Sequence, residues 1–255
     1  MTPSAPVVAT GRPDGSYRRR VRMRALDATT TEAALEDDFH HFAVVVVHDG
    51  ARVTSITARA ERWPWSTCPA AGAQLELLVG MELSPRCTAV AAVADPHMQC
   101  THQFDLAGLA VAHATRDEEE RQYDVEVPPA DAGGQRTVRL SRDGELLLEW
   151  RIAYGTGITA PRPYTDAPWR GGFIKWADAT FAVDDAEAAI VLRRACDIGM
   201  GRGMDLEGYR SADELAGLMT GVCYTMQPSI MPVAIREIGS IRDFADHPDA
   251  LLADS

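Results

Sequence analysis

The fold of this chain is decided by a β-prone run and the turn that follows it: Phe42-Ala43-Val44-Val45-Val46-Val47, then His48-Asp49-Gly50. Valine and phenylalanine favour strands, and an Asp-Gly pair favours the tight turn of a hairpin. The segment from Val53 to Ala60 again mixes β-branched and small side chains, as a partner strand would. We therefore predict an antiparallel hairpin here and an α+β fold class for the protein.

Two helices are predicted after this hairpin. Pro69 suits the first position of a helix that runs from Ala70 to Val79, with Gly80 as its stop. A second helix follows Cys100, with Thr101 as its cap. The first folded segment is thus predicted to contain three strands followed by two helices, and to begin near Tyr17.

The second half of the chain carries its own turn and helix signals. Arg142-Asp143-Gly144 predicts another hairpin, and Asp184-Asp185 suits the start of a helix that reaches about Ile198. A capping box at Ser211-Ala212-Asp213-Glu214 predicts a last helix that extends to Tyr224. The irregular stretch from Tyr154 to Trp169 has the length of a functional loop.

Composition shifts divide the chain into three parts. Residues 1–16 lack any period and predict a flexible leader. A charged run at residues 116–121 marks a boundary near residue 118, although the two sides can share one sheet. We predict an α+β module over residues 17–118, and over residues 119–255 a C-terminal α+β region that completes a pocket.

The bulk composition limits the partners. The 255 residues carry a formal charge of −12 and a pI near 5.0, which argues against nucleic acid as a partner. One basic run, Arg18-Arg19-Arg20 with Arg22 and Arg24, alternates with apolar residues and predicts the exposed face of an edge strand. We expect a small-molecule substrate as the partner. The sequence leaves the oligomeric state open, with a homo-oligomer as one option.

The location of the protein in the cell is predicted from two features, its targeting segments and its cysteines. No window approaches the roughly 20 apolar residues of a membrane helix, and the first residues lack the pattern of a signal peptide. The five cysteines are odd in number and have no tight spacing, so we expect reduced thiols instead of a disulfide framework. These features predict a cytoplasmic protein that does not bind membranes.

The motif Cys100-Thr101-His102 resembles the helix-start motif of a bacterial family of uncharacterised proteins. The order of hairpin, Cys68-Pro69, helix and second cysteine is also similar to the iron–sulfur scaffold fold of IscU and NifU, shared with the sulfur acceptor SufE. The resemblance implies a scaffold-like topology for residues 17–118 and a pocket at the cysteines. It does not extend to cluster assembly, because Gly80 is followed by Met81 where the scaffold has a lysine, and the hairpin carries no cysteine.

Cys68 and Cys100 are the first candidates for chemistry. Each is predicted at the start of a helix, where free backbone N–H groups and the helix dipole can lower the pKa of a thiol. The alternative is that each cysteine fills space in the core. A metal interpretation combines both cysteines with His102 and one of His40 or His41 to bind zinc or iron. It lacks a close ligand pair, since Cys100 and His102 are two apart and diverge on a helix.

Acid–base chemistry is the third interpretation. His102 is the favoured base, with Asp105 nearby, and Lys175, the single lysine of the chain, can stabilise developing negative charge or extend along a strand into water. Of the adjacent His40 and His41, at most one can face a pocket. A set of rings and polar groups is predicted to line the substrate pocket: His41, Trp63, Trp65, Tyr164, Trp169 and Trp176. The alternative is that the tryptophans mark a seam between the two halves.

The sequence contains no dinucleotide, Walker, esterase or zinc-protease motif. We therefore predict a lyase or isomerase that acts without metal or organic cofactor on a hydrophobic, preferably aromatic, substrate, with Cys68 and Cys100 shaping or activating the site. Aromatic compound metabolism is the favoured setting. The alternative is a carrier or scaffold module that holds zinc, iron or a small ligand through Cys68 and Cys100.

Overall fold

The structure is a computed structural model that describes residues 14–153 and 155–253. One antiparallel sheet organises it, and its strands are β1 Tyr17–Asp27, β2 Thr30–Asp37, β3 His41–His48, β4 Val53–Arg62, β5 Glu120–Val127, β6 Gln135–Arg142, β7 Glu145–Ala153 and β8 Gly157–Ala160. The order across the sheet is β4-β3-β2-β1-β5-β6-β7-β8. With the helices this gives the predicted α+β class. Most of the predicted leader, residues 1–13, lies outside the described residues.

Both predicted hairpins are confirmed. β3 and β4 pair on either side of Asp49-Gly50, and Gly50 has a φ of 91°. β6 and β7 flank Asp143 and Gly144, whose φ values of 53° and 88° are both positive. Positive φ at both central positions is what a type I′ turn requires, and its twist matches that of the flanking strands.

β1 corrects the expectation of an exposed edge strand. It lies in the middle of the sheet between β2 and β5, and residues alternate along it between buried and partly exposed positions. Arg19 falls on the buried face and is only 3% exposed. The alternation of the arginines was a correct strand signal, but neighbours distant in sequence decide whether a strand is central.

The sheet crosses the predicted boundary near residue 118. β1 pairs with β5 along eight residues, so both sides of the boundary contribute to one sheet. Tyr17, Val21, Tyr123 and Trp150 belong to the same hydrophobic core. The packing of the first segment therefore depends on strands from the second.

The helices are α1 Thr101–His113, α2 Phe173–Thr180, α3 Val183–Gly199 and α4 Ala216–Met219, with longer 3₁₀ helices at Pro69–Leu78 and Cys87–Ala92. Pro69 opens its helix as predicted, but the helix is 3₁₀ and not α. The start of α3 has Asp184 and Asp185 in its first turn, as predicted. No helix among the described residues has the length and apolar character needed to span a bilayer.

Two helix boundaries differ from the predictions. Cys100 and not Thr101 is the cap residue of α1. The capping box at Ser211 and Glu214 forms, but it opens a short 3₁₀ turn, and α4 then ends at Met219 instead of Tyr224. A cap determines where a helix begins, whereas its length depends on whether the chain can bury an apolar face.

α1 is the central helix of the core. It packs on β2 and β3 and against the 3₁₀ helix at Cys87–Ala92, and ten of its thirteen residues are buried. Gly108 permits the closest approach, because a Cβ there would overlap with the backbone carbonyl of Cys87. The missing side chain thus determines how tightly the 3₁₀ helix lies against α1.

We expect Gly108→Ala to destabilise the protein by about 1–3 kcal/mol or more, because the added methyl meets backbone that cannot rotate away. The matched control is Gly217→Ala in α4, where no atom lies within 4 Å of the added Cβ. That control should be neutral or stabilising by up to about 1 kcal/mol. Urea unfolding measures both, and equal effects at the two sites would contradict the close approach.

Candidate active site

The four-residue turn between β2 and β3 builds a buried polar cluster. Asp37 accepts hydrogen bonds through Oδ1 from the backbone N–H of Phe39 at 2.7 Å and of His40 at 2.8 Å. Its own N–H donates to the carbonyl of His40 at 2.9 Å. An aspartate that caps its own turn is a common use of this residue type. Here the turn brings the His40 ring back to Asp37, with 3.0 Å between Nδ1 and Oδ1.

The second carboxylate oxygen of Asp37 is held from β1. Oδ2 accepts hydrogen bonds from the hydroxyl of Tyr17 at 2.7 Å and from Arg19 Nε and Nη2 at 3.0 and 2.6 Å. Arg19 and Asp37 are direct cross-strand partners in the β1–β2 register. Burial by itself raises the pKa of Asp37, but His40 and Arg19 hold it well below its usual range. Asp37 is therefore a buried carboxylate with both oxygens occupied.

His102 completes the cluster from the first turn of α1. Its ring stacks on His40 with 3.7 Å between ring centroids and 28° between ring planes. Burial, followed by repulsion from His40 and Arg19, lowers the pKa of His102 well below the ordinary value. Its Nε2 atom is buried and has no hydrogen-bond partner among the described residues. A buried nitrogen without a partner calls for a ligand, ion or water that would satisfy it, and both ring nitrogens of His113 share this state.

His40 has a lowered pKa as well. Burial is the largest cause, and Asp37 opposes it. Both imidazoles are consequently neutral at pH 7, while the carboxylate beside them is ionised. A neutral histidine with a carboxylate on Nδ1 carries its proton there, which leaves Nε2 free to accept one.

The cluster also has the composition of a metal site. Ligand atoms of Asp37, His40 and His102 all lie within 4.8 Å of one another. A metal–nitrogen bond, however, is about 2.0–2.1 Å long and is formed by a lone pair in the plane of the imidazole. The two stacked rings lie in nearly parallel planes, so their in-plane lone pairs do not point at a common position for a metal ion. Both oxygens of Asp37 also already accept hydrogen bonds. A bound metal would require at least one ring to rotate.

The two cysteines lie near each other but are not activated. Each is 7% exposed, and the Sγ of Cys68 lies 3.6 Å from the hydroxyl of Thr225. Burial raises the pKa of Cys68 to about 12. Burial also raises the pKa of Cys100, and Cys68 raises it further, while the backbone N–H groups of Gln103 and His102 lower it less. The expected lowering of the thiol pKa is therefore wrong, because desolvation outweighs the helix terminus.

The predicted divergence of Cys100 and His102 is confirmed. Cys100 lies close enough to Cys68 for that thiol to raise its pKa, whereas His102 stacks on His40 at the sheet. Of the predicted metal set, the structure brings together the two histidines and leaves the cysteines in a separate thiol group. His41 faces away from His40 and lies 3.6 Å from Glu36. Only one of the adjacent histidines is thus in the cluster, as the alternation along a strand requires.

Asp105 pairs with a different partner from the one predicted. Its carboxylate contacts Arg194 of α3, with 3.0 Å between Oδ2 and Nε and 3.2 Å between Oδ1 and Nη2. Burial raises the pKa of Asp105 against the effect of Arg194. Both residues line a cavity of about 90 Å³ between α1, α3 and the sheet, and Arg19 lines the same cavity. Arg19 therefore connects the cavity with the Asp37 cluster.

The remaining predicted site residues are dispersed. Lys175 is exposed on helix α2, so its placement on a strand is wrong. Tyr164 and Trp176 share a ring cluster with Trp150, Phe173 and Phe181. Trp169 instead stacks on Arg193 at 3.8 Å, and Trp65 lies under Arg236 at 5.6 Å. Within the described ranges, no ring contact joins Trp63 or Trp65 to the Tyr164 cluster, so the expected single aromatic wall does not form.

Sequence reasoning missed Tyr17, Arg19 and Asp37. A usable signal existed, since Asp37 opens a four-residue connection between two strands, where a capping aspartate is common. Tyr17 and Arg19 occupy alternate positions of one strand and therefore share a face. Their convergence on Asp37 depends on strand register, which local pattern does not determine.

The fold and the cluster define an α+β protein whose eight-stranded antiparallel sheet carries a buried Asp-His-His arrangement. Residues 10–116 match the family model described as a protein of unknown function (DUF2889). This match supports a relation to an uncharacterised family for the part of the chain that holds β1 to β4 and α1. No curated protein matches the chain. The likeness to the IscU and SufE fold is not confirmed.

We expect the His102 ring to stay neutral at pH 6, because its folded-state pKa lies well below the unfolded value of about 6.5. Histidine proton NMR over pH 4–8 measures this, with the His102→Phe spectrum for assignment and the urea-unfolded chain as control. Since the unfolded chain binds this proton more readily, the contribution of His102 to stability is present above pH 6.5 and is lost on acidification. A midpoint at or above 6.5 would refute the burial argument.

Proposed function

We propose that this protein is a small-molecule enzyme of the lyase or isomerase type, which moves a proton at the Asp37–His40–His102 cluster without an organic cofactor. The single observation that carries the proposal is the 3.0 Å contact between Asp37 Oδ1 and His40 Nδ1 inside a buried site. We further propose a cytoplasmic location, in keeping with five cysteines that are all free thiols.

His40 takes the role of base in this proposal, and Asp37 is its positioning residue. The carboxylate holds the proton on Nδ1 and stabilises the imidazolium that forms when Nε2 accepts a proton from a carbon acid. The proton then returns to another carbon of the substrate in an isomerase, or the leaving group departs in a lyase. Neutral starting imidazoles favour this role, because only the neutral form can accept the proton.

The sequence favoured His102 as the base. In the present proposal His102 remains in the site but has a different role. Among the residues that the structure describes, no carboxylate forms a hydrogen bond with its ring, and Asp105 is engaged by Arg194. Its buried, unpartnered Nε2 instead supplies a polar contact for a substrate atom or for the proton in transit. Lys175 is exposed, so we assign the stabilisation of negative charge to Arg19, which lies between cluster and cavity.

A second candidate function is metal binding at the same three residues. The observation in its favour is that one ligand atom of each lies within 4.8 Å of the others. Two histidines and one carboxylate form a set that binds iron or zinc in other proteins. This candidate differs from the predicted carrier in its ligands, because the metal would be bound by the histidine pair and Asp37 instead of by Cys68 and Cys100.

The proton-transfer proposal is tested by deuterium exchange. The protein is incubated in D₂O with a panel of short oxo acids and unsaturated acids, and loss of carbon-bound proton signals is followed by NMR. We expect His40→Asn and Asp37→Asn to lower the exchange rate by about 10²–10⁴-fold, the usual contribution of a general base. His102→Phe keeps the stacked ring and removes the nitrogens, so exchange should fall while the melting temperature changes little.

The matched control is His247→Ala, because His247 is exposed and lies outside the cluster. Its exchange rate should equal that of the wild type. Full exchange in His40→Asn would contradict the proposed base. Elemental analysis separates the second candidate: stoichiometric zinc or iron, lost in His40→Asn and His102→Phe, would replace the cofactor-free mechanism by a metal site.

A further inference from the structure

We propose that the cavity between α1 and α3 binds a short branched aliphatic carboxylate, with its chain among the apolar walls and its carboxylate at Arg194 and Arg19. The inference rests on the proposed function in one respect, since it names the substrate class that would be presented to the His40 cluster. It stands on the shape, volume and charge of the cavity.

The cavity runs from the surface to Arg19, the residue of the buried cluster that lines it. Ala91 and Pro96 line it and are exposed, so they form its mouth. Val21 and Leu35 line it and are 2% and 3% exposed, so they form its inner end on the sheet. A small molecule can thus enter beside the 3₁₀ helix at Cys87–Ala92 and reach the strands that carry Arg19 and Asp37.

The volume selects short aliphatic chains over rings. The cavity measures about 90 Å³, whereas a cavity that admits benzene measures about 150 Å³. In proportion to the six ring carbons of benzene, the cavity holds about three or four carbons. Its walls include Val90, Phe104, Leu109 and Ile190, which favour a branched apolar chain. An aromatic substrate, expected from the tryptophans, does not fit this volume.

The charged groups select an anionic head. Two arginines and one aspartate line the cavity, and the carboxylate of Asp37 that pairs with Arg19 does not line it, so the cavity wall carries two guanidinium groups and one carboxylate. Arg194 and Asp105 are 30% and 27% exposed at their side chains, and an ion pair in such contact with solvent holds its partners weakly. A ligand carboxylate can therefore compete with Asp105 for the guanidinium of Arg194, whose planar fork suits bidentate binding.

Arg19 connects this ligand to the chemistry. It donates to Asp37 through Nε and Nη2, while its side chain also lines the cavity. A carboxylate at the inner end would contact the same guanidinium that holds the positioning residue of His40. Occupancy of the cavity and the geometry of the Asp37–His40 pair are thus coupled through one side chain.

Isothermal titration calorimetry with isobutyrate, isobutyramide and benzoate tests the proposal on the full chain. Isobutyrate has four carbons in all and should bind at least tenfold more tightly than the isosteric amide, because the amide lacks the charge. It should bind at least tenfold more tightly than benzoate, because the ring exceeds the cavity. Equal binding of the amide would overturn the role of the arginines, tighter benzoate would overturn the size argument, and no binding of isobutyrate would overturn the proposal.

Two variant pairs locate the site. Ala91→Trp places an indole at the mouth and should weaken isobutyrate binding at least tenfold, whereas Ala92→Trp, on the exposed neighbour that does not line the cavity, should leave it unchanged. Arg194→Gln should weaken binding at least tenfold, and Arg194→Lys should restore part of it. Equal effects of the two tryptophans would place the binding site elsewhere.

The outcome also separates this inference from the proposed function. Isobutyrate binding without proton exchange in any panel compound would leave the cavity assignment intact and overturn the proposed enzyme activity. If proton exchange is lost in His40→Asn but unchanged in Ala91→Trp, the proposed enzyme activity is supported and the cavity is not its substrate site.

Discussion

The ion pair between Arg19 and Asp37 is the interaction on which the site depends. Its two partners are 3% and 0% exposed and lie opposite each other on β1 and β2, in the middle of the sheet. Burying two charges costs several kcal/mol each unless further hydrogen bonds satisfy them. Tyr17, Phe39 and His40 supply those bonds. The same contacts close the turn and orient the His40 ring, so fold and site share one set of interactions.

Desolvation is the second constraint, and it divides the candidate groups by chemistry. For an acid such as a thiol, burial favours the protonated neutral form, so Cys68 and Cys100 are poor nucleophiles. For an imidazole, burial also favours the neutral form, and that form is the proton acceptor. The same environment therefore keeps the cysteines as neutral thiols and the histidines as neutral imidazoles, and Asp37 opposes the effect of burial on His40.

Local signals predicted the parts of the fold that depend on neighbouring residues. The turn at Asp143-Gly144, the helix start at Asp184 and the opening proline at Pro69 are decided within a few residues, and all three are correct. β2 was not located, because Thr30–Asp37 is rich in alanine and acidic residues and becomes a strand through pairing on both sides. β5 was not located either, because the charged residues at its start suggest a boundary between segments, and only the pairing with β1 shows that they belong to a strand.

The site was predicted in part for the same reason. His102 and His40 were candidates from their residue type, and the divergence of Cys100 from His102 followed from helix geometry. The role of Asp37 and the partner of Asp105 depend on strand register and on how α3 packs against α1, which no local spacing contains. The cavity combines residues from β1, the 3₁₀ helix, α1 and α3, and is equally a product of long-range packing.

In the proposed mechanism, Asp37 holds the proton of neutral His40 on Nδ1 and leaves Nε2 as the base. Nitrogen-15 NMR of the histidine side chains at pH 7 tests this arrangement, because protonated and unprotonated ring nitrogens differ strongly in chemical shift. We expect a protonated Nδ1 and an unprotonated Nε2 for His40, and loss of that preference in Asp37→Asn. A His40 ring protonated on Nε2 in the wild type would contradict it.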